Sequence, residues 1–111
     1  MNLFTWMIVG HMAGDFLLQT AWMAEKKEAE LKPLLAHCFI YTASVAIFTL
    51  PVGGISIASI VLIFLGHLII DNRKLVHLWA KHVSGADGNT WLKVVQDQSW
   101  HVIVLAVATL L

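Results

Sequence analysis

Charge is scarce in this chain, cysteine occurs once and proline twice, and neither sign of charge is in excess. Of 111 residues only 13% are charged, while 59% are hydrophobic and the mean hydropathy is +0.77. Soluble domains carry about 25% charged and about 45–50% apolar residues, so the composition points to a membrane protein. Seven basic residues balance seven acidic ones. That excludes the broad positive field needed for duplex nucleic acid, and no nucleic-acid partner is expected. Cys38 is alone, which excludes an intramolecular disulfide; in its apolar stretch it reads as a small core residue. The first segment lacks a basic flank and an A-x-A cleavage site and carries Asp15, so it is expected to be a retained helix, not a signal peptide. No internal repeat or low-complexity tract stands out.

Four apolar segments are present, at about 2–19, 33–50, 52–71 and 91–111, with an interfacial or loop region over 72–90. Each has roughly 18–21 residues, enough to cross about 30 Å of hydrocarbon as a helix. The expected fold is all-α, a single transmembrane domain over residues 1–111 built as an integral membrane four-helix bundle. In segment 91–111 the uninterrupted apolar part is only Val102–Leu111; it either spans fully or forms an interfacial or re-entrant piece. Pro33 suits a helix start, Pro51-Val52-Gly53-Gly54 a tight turn, and Asn89 or Thr90 a cap for the last helix. Lys74–Val83 is expected to lie as a helix on the membrane surface, with Leu75, Leu78, Trp79 and His82 along one side, followed by a loop over Ser84–Asn89.

Lys26, Lys27 and Lys32 fall in the first connection, and Arg73, Lys74, Lys81 and Lys93 in or beside the third. The positive-inside rule makes that side cytoplasmic and puts both termini outside.

Against this apolar background, three of the four aspartates stand four residues from a histidine: His11/Asp15, His67/Asp71 and Asp97/His101. Chance placement supplies about 0.4 such pairs at this composition. A spacing of four puts both side chains on one helix face, one turn apart. Taken singly, such a pair is also an ordinary intrahelical ion pair. Topology makes them more than that. Threading the helices up and down brings His11, Asp15 and Gln19 to the cytoplasmic half of the first. His37 comes to the start of the second, His67 and Asp71 to the end of the third, and Asp97, Gln98 and His101 to the fourth. Every helix then gives a histidine to one layer. Ionisable groups inside a membrane mark function by default.

Imidazole and carboxylate without thiolate suit a divalent Zn, Fe or Mn ion. The metal-ligand candidates are His11, Asp15, His37, His67, Asp71, Asp97 and His101, with Gln19 and Gln98 as supporting groups behind them. Asp15 and Asp71 are also candidate catalytic carboxylates. Lys74, three residues after Asp71, is a candidate for holding a phosphate or lipid headgroup. His77 and His82 read as surface residues. Gly10 and Gly14, at small-xxx-small spacing, allow a close helix approach and offer a contact for a homo-oligomer.

The run His11-Met12-Ala13-Gly14-Asp15-Phe16-Leu17-Leu18-Gln19, the lysines at 26 and 27, and His37 resemble the bacterial and phage integral-membrane family called domain of unknown function 3307. Its later elements match His67/Asp71/Lys74 and Asp97/Gln98/His101. The resemblance spans nearly the whole chain, which begins close to the first helix and reads as a minimal member. It implies a multi-pass protein of the bacterial inner membrane with a shared polar site, and it implies no reaction. A looser similarity links the pattern to membrane-bound metal-dependent hydrolases.

Three functions compete. The first is a metal-dependent hydrolase of a membrane lipid or lipid-linked phosphate, with a metal-activated water and an Asp or His as base. The second is a metal or proton carrier or sensor acting as an oligomer. The third is a non-catalytic membrane interaction protein in which the polar layer only holds short helices together.

Overall fold

The computed structural model describes residues 2–72, 74–85 and 88–111; Arg73, Ala86, Asp87 and the Lys74 side chain lie outside the described residues. The described chain is all-α. It comprises α1 (Leu3–Met12), α2 (Ala21–Lys26), α3 (Leu31–Phe48), α4 (Ile57–Asp71), α5 (Lys74–His82) and α6 (Thr90–Ala108). A π-helical turn, Ala13–Leu17, prolongs α1, and a 3-10 turn, Leu50–Val52, follows α3.

Side-chain caps explain most boundaries. The Asn2 side chain accepts from the Thr5 amide, Thr20 from Met23, Ser56 from Ser59 and Asn89 from Leu92. Each satisfies an amide that has no partner within its own helix. Pro33 lies in the first turn of α3, where its missing N–H costs nothing. Gly53 and Gly54 have φ of 102° and 75°, the left-handed conformation that lets the chain reverse after α3.

Two expected helices are shortened. The first does not run to Gln19. The backbone loosens to an i→i+5 bond from the Leu18 amide to the Ala13 carbonyl (2.9 Å), and the chain restarts at Thr20 as α2. The third starts at Ile57, because Val52 belongs to the 3-10 turn and Ser56 is the cap. Among the described residues one helical stretch, Leu31–Val52, is long and apolar enough to cross a membrane; Leu3–Leu17 and α4 are apolar but shorter. α6 has the length, but Lys93, Gln96, Asp97 and Gln98 lower the apolarity of its first half.

α1 packs on α3, α3 on α4, α4 on α6, and α6 closes on α1, so four helices surround one interior. At one end that interior is apolar: Met7, Val45, Ile63, Leu105 and Ala108 are buried together, with Leu3, Phe4, Ile8 and Leu62 around them. From this end into the polar one, α1 approaches α3 closely. A Cβ on Gly10 would sit 2.7 Å from the Val45 Cα, and one on Gly14 3.0 Å from the Tyr41 Cα. The small-residue contact at Gly10 and Gly14 is therefore made within the chain, by α3. Ser44 Oγ donates to the Gly10 carbonyl at 2.9 Å across the same seam.

The outside is apolar as well. Phe39, Ile47, Ile57, Val61, Leu65, Ile69, Ile103 and Val107 are all exposed, whereas His11, Asp15, His37, His67, Asp71 and His101 are buried. α5 turns Val76 and Ala80 inward; Leu78, Trp79 and His82 face out.

Candidate metal centre

The buried histidines and aspartates meet at the end of the bundle opposite the apolar core. Asp15 comes from the π turn, His37 from the first half of α3, His67 and Asp71 from the last turns of α4, and Asp97 and His101 from α6. Up-and-down threading brings these ends to one level, as the sequence suggested.

Two carboxylates, Asp15 and Asp71, form the centre. His37 Nε2 lies 3.0 Å from Asp15 Oδ1 and 3.1 Å from Asp71 Oδ2. His67 Nε2 is 3.4 Å from Asp71 Oδ2 and 3.8 Å from Asp15 Oδ1. His101 Nε2 is 3.4 Å from Asp71 Oδ1 and 4.0 Å from Asp15 Oδ2. Three imidazoles from three helices thus point the same nitrogen at one carboxylate pair.

The hydrogen bonds constrain where protons sit. His101 Nδ1 lies 2.7 Å from the Asp97 backbone carbonyl. A carbonyl only accepts, so Nδ1 carries the proton, and a neutral ring turns the Nε2 lone pair toward the carboxylates. His67 Nε2 is buried without a hydrogen bond, as is His101 Nε2. Buried polar atoms without partners are costly, and two such atoms facing one acidic pair fit a cation between them. A backbone-held Nδ1–H with a free Nε2 is also how histidine ligands are oriented.

The donor set fits a metal by distance too. Asp15, His37, His67 and Asp71 each offer one donor atom within 4.8 Å of the others, and Asp71, Asp97 and His101 form a second such group sharing Asp71. Ligands about 2.0–2.2 Å from one ion lie roughly 3.0–3.4 Å apart, close to the His–Asp separations here. These buried His/Asp groups can hold a metal ion.

His11 stands just outside. Its Nδ1 lies 2.8 Å from the Tyr41 hydroxyl and its Nε2 2.9 Å from Gln98 Oε1. Gln98 turns its amide nitrogen to Asp15 Oδ2 (3.4 Å) and Asp97 Oδ2 (3.3 Å), which leaves its oxygen for His11. Gln98 Oε1 only accepts, so His11 Nε2 carries a proton and, in the neutral ring, Nδ1 takes the Tyr41 hydroxyl proton. Both His11 nitrogens are thus engaged away from the carboxylate pair, and Asp15 Oδ2 is 3.8 Å from Nδ1. Gln19 donates to the Asp15 backbone carbonyl at 3.1 Å, a supporting role as expected.

Two residues that spacing alone did not single out complete the layer. Tyr41 stacks on His67, centroids 3.9 Å apart at 16°, besides its bond to His11. Its signal was available, one turn after His37 on the same helix face. Lys27 Nζ lies 2.6 Å from Asp71 Oδ2. The resemblance admitted Lys26 or Lys27, and it is Lys27, just after α2 where that helix packs on α3, that reaches Asp71 at the end of α4. Lys74, the expected cation, has a side chain outside the described residues. His77 and His82 are exposed, and His77 pairs with Glu28 at 3.6 Å.

The model of the family described as "Protein of unknown function (DUF3307)" matches residues 3–111, and the chain belongs to that family. No curated protein and no solved structure matches it.

Proposed function

We propose that this chain is a small integral membrane protein whose His/Asp layer holds a divalent metal and hydrolyses a membrane lipid or lipid-linked phosphate. The observation that carries the reading is the convergence of His37, His67 and His101 on the buried Asp15/Asp71 pair, with the His101 Nδ1 proton held by a backbone carbonyl.

Charge supports the metal. Asp15, Asp71 and Asp97 bring three negative charges to the layer and Lys27 one positive charge, leaving the charge that a single divalent Zn, Fe or Mn ion balances. Asp15, His37, His67 and Asp71 would hold it. When bound, such an ion supplies Lewis acidity and a water ionised near neutral pH. The protein does the rest. Asp71 and Asp15 fix the ligand imidazoles. His101 would take a proton from the attacking water at Nε2, where Asp71 Oδ1 at 3.4 Å would stabilise the resulting cation. His11, Tyr41 and Gln98 hold Asp15 and Asp97 in place and keep that wall of the layer polar.

An inside-out distribution supports the membrane. Charged and imidazole groups are buried while large apolar side chains cover the outside. Water would penalise that surface, and hydrocarbon would not. Leu31–Val52 supplies one span, and the shorter apolar helices cross with it as a bundle. Lysines at the α2 and α5 end support, by the positive-inside rule, a site at the cytoplasmic leaflet of a bacterial inner membrane with both termini outside.

A second reading, a proton or metal carrier, draws on the hydrogen-bond run Tyr41–His11–Gln98–Asp97, which joins α3 to α6.

Elemental analysis of the purified protein in mild detergent decides, beside an Asp15→Ala/Asp71→Ala double variant. Stoichiometric Zn, Fe or Mn in the parent, lost from a variant that keeps its helicity, is expected. No metal in the parent after incubation with each ion would remove the hydrolase reading and leave a proton-linked or purely structural network.

A further inference from the structure

Among the described residues, Lys27 is the one ammonium that pairs with the Asp15/Asp71 layer, at 2.6 Å from Asp71 Oδ2. Its Nζ also donates to Gln19 Oε1 at 2.8 Å. Gln19 in turn donates to the Asp15 carbonyl, so the lysine is positioned by the same turn that carries Asp15. This is a built arrangement and not a loose surface pair. An ammonium has three N–H donors; Gln19 accepts from one, and Asp71 is paired with the ammonium by charge. The Lys27 side chain is 14% exposed, against 2% for Asp71. The ammonium therefore stands at the partly exposed rim of the layer, outside the buried carboxylates.

Beside a free Asp71 the lysine charge is neutralised. A divalent cation that took Asp71 as a ligand would compete with Lys27 for that carboxylate, and an N–H of the ammonium would then turn to another acceptor. A positive centre one carboxylate oxygen away from a metal is suited to a tetrahedral oxyanion that offers oxygens to both.

We infer that Lys27, held by Gln19 over Asp71, is the anchor for a phosphate group of the substrate. The ammonium holds one phosphate oxygen while the phosphorus faces the Asp15/Asp71 layer. This rests on the metal reading above and deepens it, because it names the substrate as a phosphate ester and assigns its anchor to the first connection.

The test loads the protein with Zn²⁺ in phosphatidylcholine nanodiscs and titrates inorganic phosphate, counting metal by elemental analysis in the same samples. Lys27→Met is compared with the parent and with Lys81→Met as a surface control. The expected result is metal retained in all three and phosphate affinity reduced at least about 10-fold in Lys27→Met alone, the scale of one lost charge-assisted hydrogen bond. Lys27→Arg should recover most of it. In a second arm phosphatidic acid in the nanodisc replaces inorganic phosphate. Lys27-dependent binding in that arm points to a lipid headgroup, and binding confined to the first arm points to a free phosphate compound. As a readout independent of variant folding, phosphate should protect Lys27 of the metal-loaded parent from an amine reagent, seen by peptide mass spectrometry. Lys27→Met that keeps its metal and full phosphate affinity, or a loaded parent whose Lys27 is not protected, overturns the inference and leaves the metal reading standing. A parent that takes up no metal overturns both.

Discussion

The two ends of this bundle use the same helices for opposite purposes. At the apolar end, glycine, serine and branched aliphatic residues let α1 and α3 touch backbone to backbone and fill the interior with Met7, Val45, Ile63 and Leu105. At the polar end, the same helices present imidazoles and carboxylates where methyl groups would otherwise pack. The first end has its contacts complete; the second leaves His67 and His101 nitrogens without hydrogen bonds. Apolar packing and the buried His/Asp groups are thus divided along the helix axes. A defect at the apolar end should remove both stability and chemistry, and a defect at the polar end should remove only the chemistry.

The largest effect is expected from Gly10→Leu, which drives a side chain into the α3 backbone. Overpacking alone costs about 1–3 kcal/mol, and backbone that cannot yield costs more. Circular dichroism in detergent should show no cooperative melt, and metal binding should vanish with the fold. A parent-like melt would mean that the seam is not what holds the bundle.

Next comes Asp71→Asn. It keeps the shape but removes the charge on which Lys27 and three histidines converge. Equilibrium dialysis should show metal affinity down by more than about 100-fold, from the loss of a ligand charge, with helicity retained. Unchanged affinity would show that Asp71 is no ligand.

A smaller loss is expected for Tyr41→Phe. The ring still stacks on His67, but His11 Nδ1 loses its donor. Stability should fall by about 1–2 kcal/mol and metal affinity by no more than about 10-fold, readable from one denaturation series and one metal titration. Collapse of the fold would place Tyr41 in the structural half instead.

The smallest change has the opposite sign. Thr42 Oγ1 is buried without a hydrogen bond in an apolar groove between α3 and α4, beside Phe39, Ala46 and Phe64. Thr42→Val should stabilise by up to about 1 kcal/mol, and a thermal shift should detect it. A lower melting temperature would reveal a partner for that hydroxyl.

How much of this was legible beforehand depended on whether a feature is periodic. The His/Asp pairs repeat at helical spacing in apolar surroundings, so their segments and common depth could be read. The boundary signals at Pro33, Gly53 and Asn89 were local and held. Lys27 was hard to assign because its place depends on α2, a six-residue helix started by the Thr20 hydroxyl inside what looks like a charged linker. Gly10 and Gly14 announced a close contact but not its partner, since small-residue spacing is the same for a neighbour within the chain or outside it. His11 shares the spacing of the other pairs yet bonds to Tyr41 and Gln98, because the backbone between it and Asp15 is no longer α-helical.

That loosened turn, Ala13–Leu17, stores part of the site as a count of residues instead of as any side chain. Removing one residue there would let the amide ladder close as an ordinary α-helix, and everything after it would turn by about 100°. Asp15 would leave His37, and Gln19 would swing away with the lysine it holds. Descendants of this chain should therefore exchange the outward-facing Phe16 or Leu17 freely, yet lose the centre at a single deletion. Here length is inherited more strictly than composition.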